Sequence, residues 1–381
     1  MRRLALVVGA IVLVDTMFYA AITPLLPRLA DELDLGKNGA GVLAGAYAAG
    51  TLAGSLPGGW LAARAGVKAT VLVGIALMSV SGLAFAFGSS IVLLDTARFV
   101  QGIGGACTWA GGMAWLSAEA PRERRGEVIG GVLGAAIFGV QLGPVVGALA
   151  TAIGREAAFS TTVLFGVVLG ALAWSMPARP GSEALMTPIA ALRERRMVAG
   201  MWLTALPAAA FGVMDVLAPL RLDALGATGL ALGATFFAAA GAEAIISPSA
   251  GRIADRRGAV AVARAGLLIG AVALVVLQLP DTALGLALTV IVVAGFLGVL
   301  WVPAGLLLTS GAERIGLDTA YAFAFFNLGW AGGFAAGAAG GGALAQASAD
   351  PVPYLLLAGA YALTLAATVR RRPEPSLRFG A

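Results

Sequence analysis

The chain contains no histidine and a single cysteine in 381 residues. The missing imidazoles exclude histidine-based zinc centres and any nucleophile–histidine relay. They also leave proton exchange near neutral pH to buried carboxylates, since histidine is the side chain that ordinarily titrates there. Cys107 has no second cysteine to pair with, and it lies inside an apolar run, the place of a small packing residue. Charge is sparse too. Asp, Glu, Lys and Arg make up 12% of the chain, where a soluble domain carries roughly 25%. Those charges gather between apolar runs instead of alternating along helix faces, so the expected solvent is a bilayer.

Apolar residues are 59% of the total, and the mean hydropathy is +0.91. Runs of about twenty apolar residues, one bilayer thickness as helix, fall near 4–29, 39–61, 69–87, 91–117, 127–152 and 156–176. Six more fall near 198–220, 229–250, 260–279, 283–311, 318–346 and 352–369. The runs are continuous, which predicts helices and not the alternating strands of a barrel. Between the sixes lies a polar stretch with Pro177, Pro180, Pro188 and the cluster Arg193-Glu194-Arg195-Arg196. The expected organisation is a six-helix bundle over 1–176, a linker over 177–197, a second bundle over 198–369 and a tail over 370–381. The first run carries Asp15 in its middle and continues past Pro24 and Pro27, unlike the short core of a cleaved signal peptide.

The net charge of +5 and pI of 9.9 do not indicate nucleic acid. With both termini in the cytoplasm, 20 of the 25 basic residues fall on the inner side. Four fall outside, namely Arg28, Lys37, Arg155 and Arg221, and Arg98 alone is within a span. That is a strong positive-inside bias. It predicts an integral plasma membrane protein of bacterial inner-membrane type, in contact with lipid and not with nucleic acid.

One phrase occurs twice. Gly59-Trp60-Leu61-Ala62-Ala63-Arg64-Ala65-Gly66 recurs as Gly251-Arg252-Ile253-Ala254-Asp255-Arg256-Arg257-Gly258, once in each half. Such an echo points to a duplicated architecture. The copies differ where Asp255 stands in place of Ala63.

Six plus six spans, a basic central loop and this echo together resemble the major facilitator superfamily, whose loop motif joins the second and third spans of each half. Arg98, Gln101, Gly102 and Gly104 look like that family's fourth-span motif with its buried arginine. Gly130, Gly139, Gly143, Pro144 and Gly147 are similar to its fifth-span antiporter motif, with Ala148 in place of a final glycine. Asp15, Pro24 and Pro27 are similar to the first span of twelve-span drug:proton antiporters, a branch that includes the vesicular amine transporters. The resemblance implies an all-α membrane fold of twelve transmembrane helices in two pseudo-symmetric bundles. It further implies alternating access, protons as the coupling ion, no other cofactor, and a monomer. In that family the motif aspartate is pictured holding the cytoplasmic gate shut. The resemblance therefore assigns gating to Gly59, Arg64, Gly66, Gly251, Asp255, Arg256 and Gly258, and to Gly139, Gly143, Pro144 and Gly147.

A physical reading stands beside it. Arg98 in a membrane run costs a few kcal/mol unless paired or hydrated. Asp95, one turn earlier, and Asp15, on another span, are both candidate partners; the pair either staples two spans or tunes a proton carrier. Asp15 is the first choice for the carrier, with Tyr19 one turn onward. Glu243 sits midway along the eighth run and is a second choice. Asp215 lies toward one end of the seventh and is either a third or an interfacial group. Gly139, Gly143 and Gly147 form a four-residue ladder, as do Gly50, Gly54 and Gly58, and Gly329, Gly333, Gly337 and Gly341. These faces suit close helix packing; the resemblance places them along the contact between halves, second span against eleventh and fifth against eighth.

Trp109, Phe211, Trp301, Phe323, Phe326 and Trp330 are candidates for an aromatic cavity, although each also suits packing or a lipid interface. Tyr19, Gln101, Gln141 and Asn327 add polar handles for a small-molecule substrate. The Gly102-Ile103-Gly104-Gly105 run lacks the strand and βαβ context of a dinucleotide fingerprint. The expected activity is proton-coupled efflux of lipophilic cationic or neutral small molecules. Uptake or facilitated diffusion of a sugar or nucleoside is the second reading, and the few polar cavity candidates argue against sugars. An enzyme is disfavoured by the lack of a nucleophile–base pair or phosphate loop, and a sensor by the lack of a signalling domain.

Overall fold

A computed structural model describes residues 2–121, 124–178, 192–317 and 319–370. Among these, every regular element is helical, and the helices form twelve rods. The first six are Arg2–Glu32, Lys37–Ala65, Val67–Phe87, Ile91–Glu119, Arg125–Ile153 and Arg155–Trp174. The second six are Arg195–Ala224, Gly229–Arg257, Ala259–Val276, Ala283–Arg314, Thr319–Ala347 and Pro351–Arg370. Ten are long and apolar enough to cross a membrane. The fourth falls short because Asp95, Arg98, Gln101 and a run of glycines dilute it, and the eleventh is interrupted by a π turn at Ala336–Gly340.

The packing order repeats. The first span packs on the fifth, the second on the fourth and the third on the sixth. In the second six, the seventh packs on the eleventh, the eighth on the tenth and the ninth on the twelfth. The halves meet where the second span touches the eleventh and the fifth touches the eighth.

Three rods are not plain helices. The first loses α geometry after Ala20 and passes through a 3₁₀ turn at Thr23–Leu25, because Pro24 has no N–H to give. The tenth breaks at Gly298–Leu300, and the eleventh at its π turn. The echoed phrase is itself helical: Gly59 to Ala65 complete the second span, and Gly251 to Arg257 complete the eighth. Only Gly66 (φ 91°, ψ 154°) and Gly258 (φ 85°, ψ 151°) form the connections, in a region of backbone space that favours glycine. Alanine, leucine and arginine keep the helix going up to that residue.

The glycine ladders serve the inside of each bundle. Gly139, Gly143 and Gly147 seat the fifth span on Leu13, Met17 and Ala21 of the first. Gly50 and Gly54 seat the second span on Phe99 and Ile103 of the fourth, and Gly333 and Gly337 seat the eleventh on Ala205 and Ala209 of the seventh. This differs from the expected placement between halves. A four-residue period stays on one helix face, and here that face is taken by the closest neighbour within the bundle.

Other small residues join the halves, toward the end opposite the termini. Gly41 and Gly45 meet Ala338 and Ala335, while Gly229 and Gly233 meet Thr151 and Ala148. Lys37 pairs with Asp350, and the Asn38 amide donates to Gln346 Oε1 at 2.8 Å. A Cβ on Gly59, Gly130, Gly131, Gly134 or Gly251 would meet nothing within 4 Å. The described contacts between the halves thus gather toward the end opposite the termini.

The four basic residues on the side opposite the termini are all engaged. Arg28 donates to the Thr151 carbonyl near the end of the fifth span and pairs with Glu32. Arg155 donates to the Ala86 and Gly88 carbonyls ending the third span. Arg221 does the same for the Gln278 and Pro280 carbonyls after the ninth, and Lys37 is the cation that pairs with Asp350. Arg28 and Arg155 thus supply donors to carbonyls at helix C-termini, and Arg221 holds the turn that follows the ninth span.

Candidate functional site

The interior of the first bundle is organised around Asp15, which is fully buried. Tyr47 Oη donates to its Oδ1 at 2.9 Å, and Trp109 Nε1 donates to its Oδ2 at 3.2 Å. Both partners are neutral. Arg98 is equally buried, but it lies beyond ion-pair distance of Asp15 and of Asp95, so neither expected partnership forms. Instead Nη1 donates to the Phe18 carbonyl at 3.2 Å and to Gln101 Oε1 at 2.8 Å, and Nη2 donates to the Tyr19 carbonyl at 3.0 Å. Those carbonyls lie where the first span leaves regular α geometry. The Pro24 break and the buried guanidinium therefore answer one another.

Tyr47 links the two charged groups. Its hydroxyl serves Asp15, while the Arg98 guanidinium lies 5.2 Å from its ring centroid. Arg98 Nε and Asp95 Oδ1 have no hydrogen-bond partner among the described residues. Gln101, expected to face substrate, is buried and committed to Arg98. A glutamine one turn from a buried arginine finds its strongest acceptor role there.

The second bundle carries a counterpart. Trp301, next to the break in the tenth span, donates its indole N–H to Glu243 Oε1 at 2.6 Å. Phe211 of the seventh span stacks on Trp301 with centroids 6.1 Å apart and planes 11° apart, and Phe326 of the eleventh tilts against it at 5.7 Å. Asp215 is one helical turn beyond Phe211, on a helix that runs on to Ala224. Asp215 and Glu243 are near enough to interact electrostatically.

Aromatic rings join the halves. Tyr19 lies 4.8 Å from Tyr47 and 5.3 Å from Trp330, which stacks on Phe334. Gln141 on the fifth span reaches Gly241 on the eighth. Asn327 is partly buried on the eleventh. The Phe323 side chain lies outside the described residues. Sequence reasoning missed Tyr47, Phe334, Gln346 and the Lys37–Asp350 pair. Tyr47 had a signal, as the one phenol within the second span.

No ion pair to Asp255 occurs among the described residues. Asp255, Arg256 and Arg257 are exposed, and successive helix positions point in different directions, so neither arginine faces the carboxylate. Arg64 lies over the Trp60 ring at 5.2 Å. Pro144 remains at the contact between halves, where its carbonyl meets Gly233.

Comparison with known proteins sets this geometry in a family. Residues 8–333 match the model of the Major Facilitator Superfamily. The chain is 34% identical over 134 residues to the synaptic vesicular amine transporter of Homo sapiens, covering 35% of this chain and 26% of that protein. It is 24% identical over 326 residues to the MFS-type transporter C18.02 of Schizosaccharomyces pombe, covering 74% and 73%. The match to the amine transporter thus spans about a quarter of that relative. Among solved structures, a D-xylose-proton symporter superposes with a TM-score of 0.77 at 17% identity, over 98% of both chains. A bacterial homologue of the lysosomal transporter Spinster, solved inward-facing and unoccupied, gives 0.77 at 14%, again over 98% of both chains. With two six-helix bundles, a fold shared along the whole chain and a family model matched over most of it, this chain belongs to the Major Facilitator Superfamily and is a membrane transporter, not an enzyme.

Proposed function

We propose that this transporter exports lipophilic cationic or neutral small molecules in exchange for protons, with Asp15 as the proton carrier. The observation that carries the reading is a fully buried carboxylate held only by neutral donors, Tyr47 and Trp109, with Arg98 beside it but unpaired to it. A carboxylate in that setting changes its interactions when it takes up or loses a proton, so its protonation can be tied to which end of the molecule is open. The positive-inside bias orients the termini toward the cytoplasm, which puts the joined end, with the Lys37–Asp350 pair, on the outside. In that orientation substrate enters from the cytoplasm or inner leaflet and leaves after the molecule opens outward. Protons then return on Asp15. The local similarity to a vesicular amine transporter supports an amine-like cargo.

The test is flux in proteoliposomes with an imposed pH gradient. Wild type should drive accumulation of a lipophilic amine, and Asp15→Asn should lose the gradient-driven part. Full gradient-driven flux in Asp15→Asn would show that the proton is carried elsewhere.

A further inference from the structure

Tyr47 touches both buried charges of the first bundle, and it does so from the span that meets the other half. Its hydroxyl donates to Asp15 Oδ1 at 2.9 Å, and its ring lies 5.2 Å from the Arg98 guanidinium. Within about three turns of it on the same helix, Gly45, Gly41 and Lys37 meet Ala335, Ala338 and Asp350 of the second half. A second path is aromatic. The Tyr47 ring lies 4.8 Å from Tyr19, which lies 5.3 Å from Trp330 and 5.7 Å from Phe334 on the eleventh span.

The packing of the fourth span is an independent observation on the same bond. At Gly105 a Cβ would stand 2.6 Å from Tyr47 Oη and 3.0 Å from each carboxylate oxygen of Asp15. Only a residue without a side chain leaves that hydrogen bond its room. One turn earlier, Gly102 lies directly against the Tyr47 carbonyl. The fourth span thus places both the backbone and the hydroxyl of Tyr47, while its Trp109 holds the other oxygen of Asp15.

Few charged or titratable groups face Asp15. The second span contributes Tyr47, the fourth contributes Arg98, and Tyr19 lies one turn onward in its own span. The fifth span has no ionisable residue after Glu127, and the sixth has none after Glu156. A hydroxyl donates more strongly to an ionised carboxylate than to a neutral one. The contact that feels this difference and also leads to the joint between the halves is the Tyr47 hydrogen bond.

We infer that Tyr47 is the positioning residue that couples the charge of Asp15 to the contact between the halves. Ionised Asp15 holds the hydroxyl firmly, and with it the second span in the arrangement that joins Gly41 and Lys37 to the other half. A proton on Asp15 weakens the bond, and the equilibrium shifts away from that arrangement. The inference rests on the reading of Asp15 as the proton carrier.

The experiment follows two signals across a pH series on the purified full chain in detergent. The infrared carboxyl band that is lost in Asp15→Asn reports the proton on Asp15. Maleimide labelling of Ala338→Cys in a Cys107→Ser background reports the contact, since Ala338 is buried against Gly41. Dividing each rate by that of the denatured chain at the same pH removes the ionisation of the thiol itself. The two signals should titrate together in this background. Labelling should rise about fivefold on the acid side, the ratio between a charged and a neutral acceptor. Tyr47→Phe keeps the ring, so it should keep the Asp15 band and lose the pH dependence of labelling. Gly105→Ala, which displaces the hydroxyl, should do the same and takes its place if melting curves show that Tyr47→Phe fails to fold. Labelling that still follows the Asp15 band in the folded variant would overturn the inference and leave the proton carrier standing. So would labelling that ignores that band before Tyr47 is changed. A carboxyl band unaffected by Asp15→Asn would overturn both readings.

Discussion

Lys37, at the head of the second span, forms an ion pair with Asp350, just ahead of the twelfth, and so ties one bundle to the other. Around it the Asn38 amide binds Gln346, and Gly41 lies against Ala338. Both charged side chains are over a third exposed, so the pair itself contributes about 0–1 kcal/mol. In a transporter whose two states are close in energy, that is enough to shift populations up to about fivefold.

Charge reversal tests this closure. Lys37→Glu should favour opening at this end, seen as faster maleimide labelling of Ala338→Cys, a buried position against Gly41, in a Cys107→Ser background. Combining Lys37→Glu with Asp350→Lys should return labelling to the wild-type rate. If the double variant labels as fast as the single, the pair is not what holds this end shut.

Arg98 binds two backbone carbonyls and one side chain at once, a task for a planar guanidinium and not for an ammonium. Arg98→Lys should therefore lose stability despite keeping its charge, and Arg98→Ala should lose more. Each buried acceptor left bare costs about 1–3 kcal/mol. Detergent melting temperatures that do not fall in either variant would refute the assignment.

Glycines divide into two groups that mutagenesis should separate. Alanine at Gly50, Gly102 or Gly333 would drive a methyl into the backbone of the neighbouring span. Overpacking of this kind typically costs about 1–3 kcal/mol. Alanine at Gly59 or Gly130 meets open space and should leave the melting temperature within error. Slower transport in these last two, without loss of stability, would mean that these glycine faces meet a neighbour during the cycle.

Asp255 is exposed here, whereas its counterpart in the first half is Ala63. Asp255→Asn should leave stability unchanged yet slow turnover more than Ala63→Asn does, if closure of the terminal end recruits the carboxylate. Equal turnover in the two variants would leave the asymmetry of the echo without a mechanical role.

Much of this architecture is legible in the chain. Hydropathy marks the spans because each must satisfy its own backbone in lipid, and the echo at Gly66 and Gly258 marks the repeat because both turns need the same positive φ. Helix ends are harder to read. The seventh span begins at Arg195 and the eighth runs to Arg257, since arginine and alanine continue a helix beyond the apolar zone. Within the site, Asp15, Trp109, Glu243 and Trp301 are visible as polar or aromatic residues within membrane runs. Their pairing is not, because Asp15 meets Trp109 across 94 positions and Glu243 meets Trp301 across 58. The role of Gln101 stays hidden for the same reason: nothing local announces that the guanidinium one turn away lacks a carboxylate.

The basic residues that run against the charge bias carry a lesson of their own. A cation on the minority side weakens the signal that orients the chain in the membrane, yet each of the four here has a partner in the fold. Arg28 and Arg155 each complete the end of a neighbouring span, Arg221 holds the turn after the ninth, and Lys37 pairs across the two bundles. In this chain the exceptions to the topology rule coincide with joints between helices, and counting charges along the sequence picks them out.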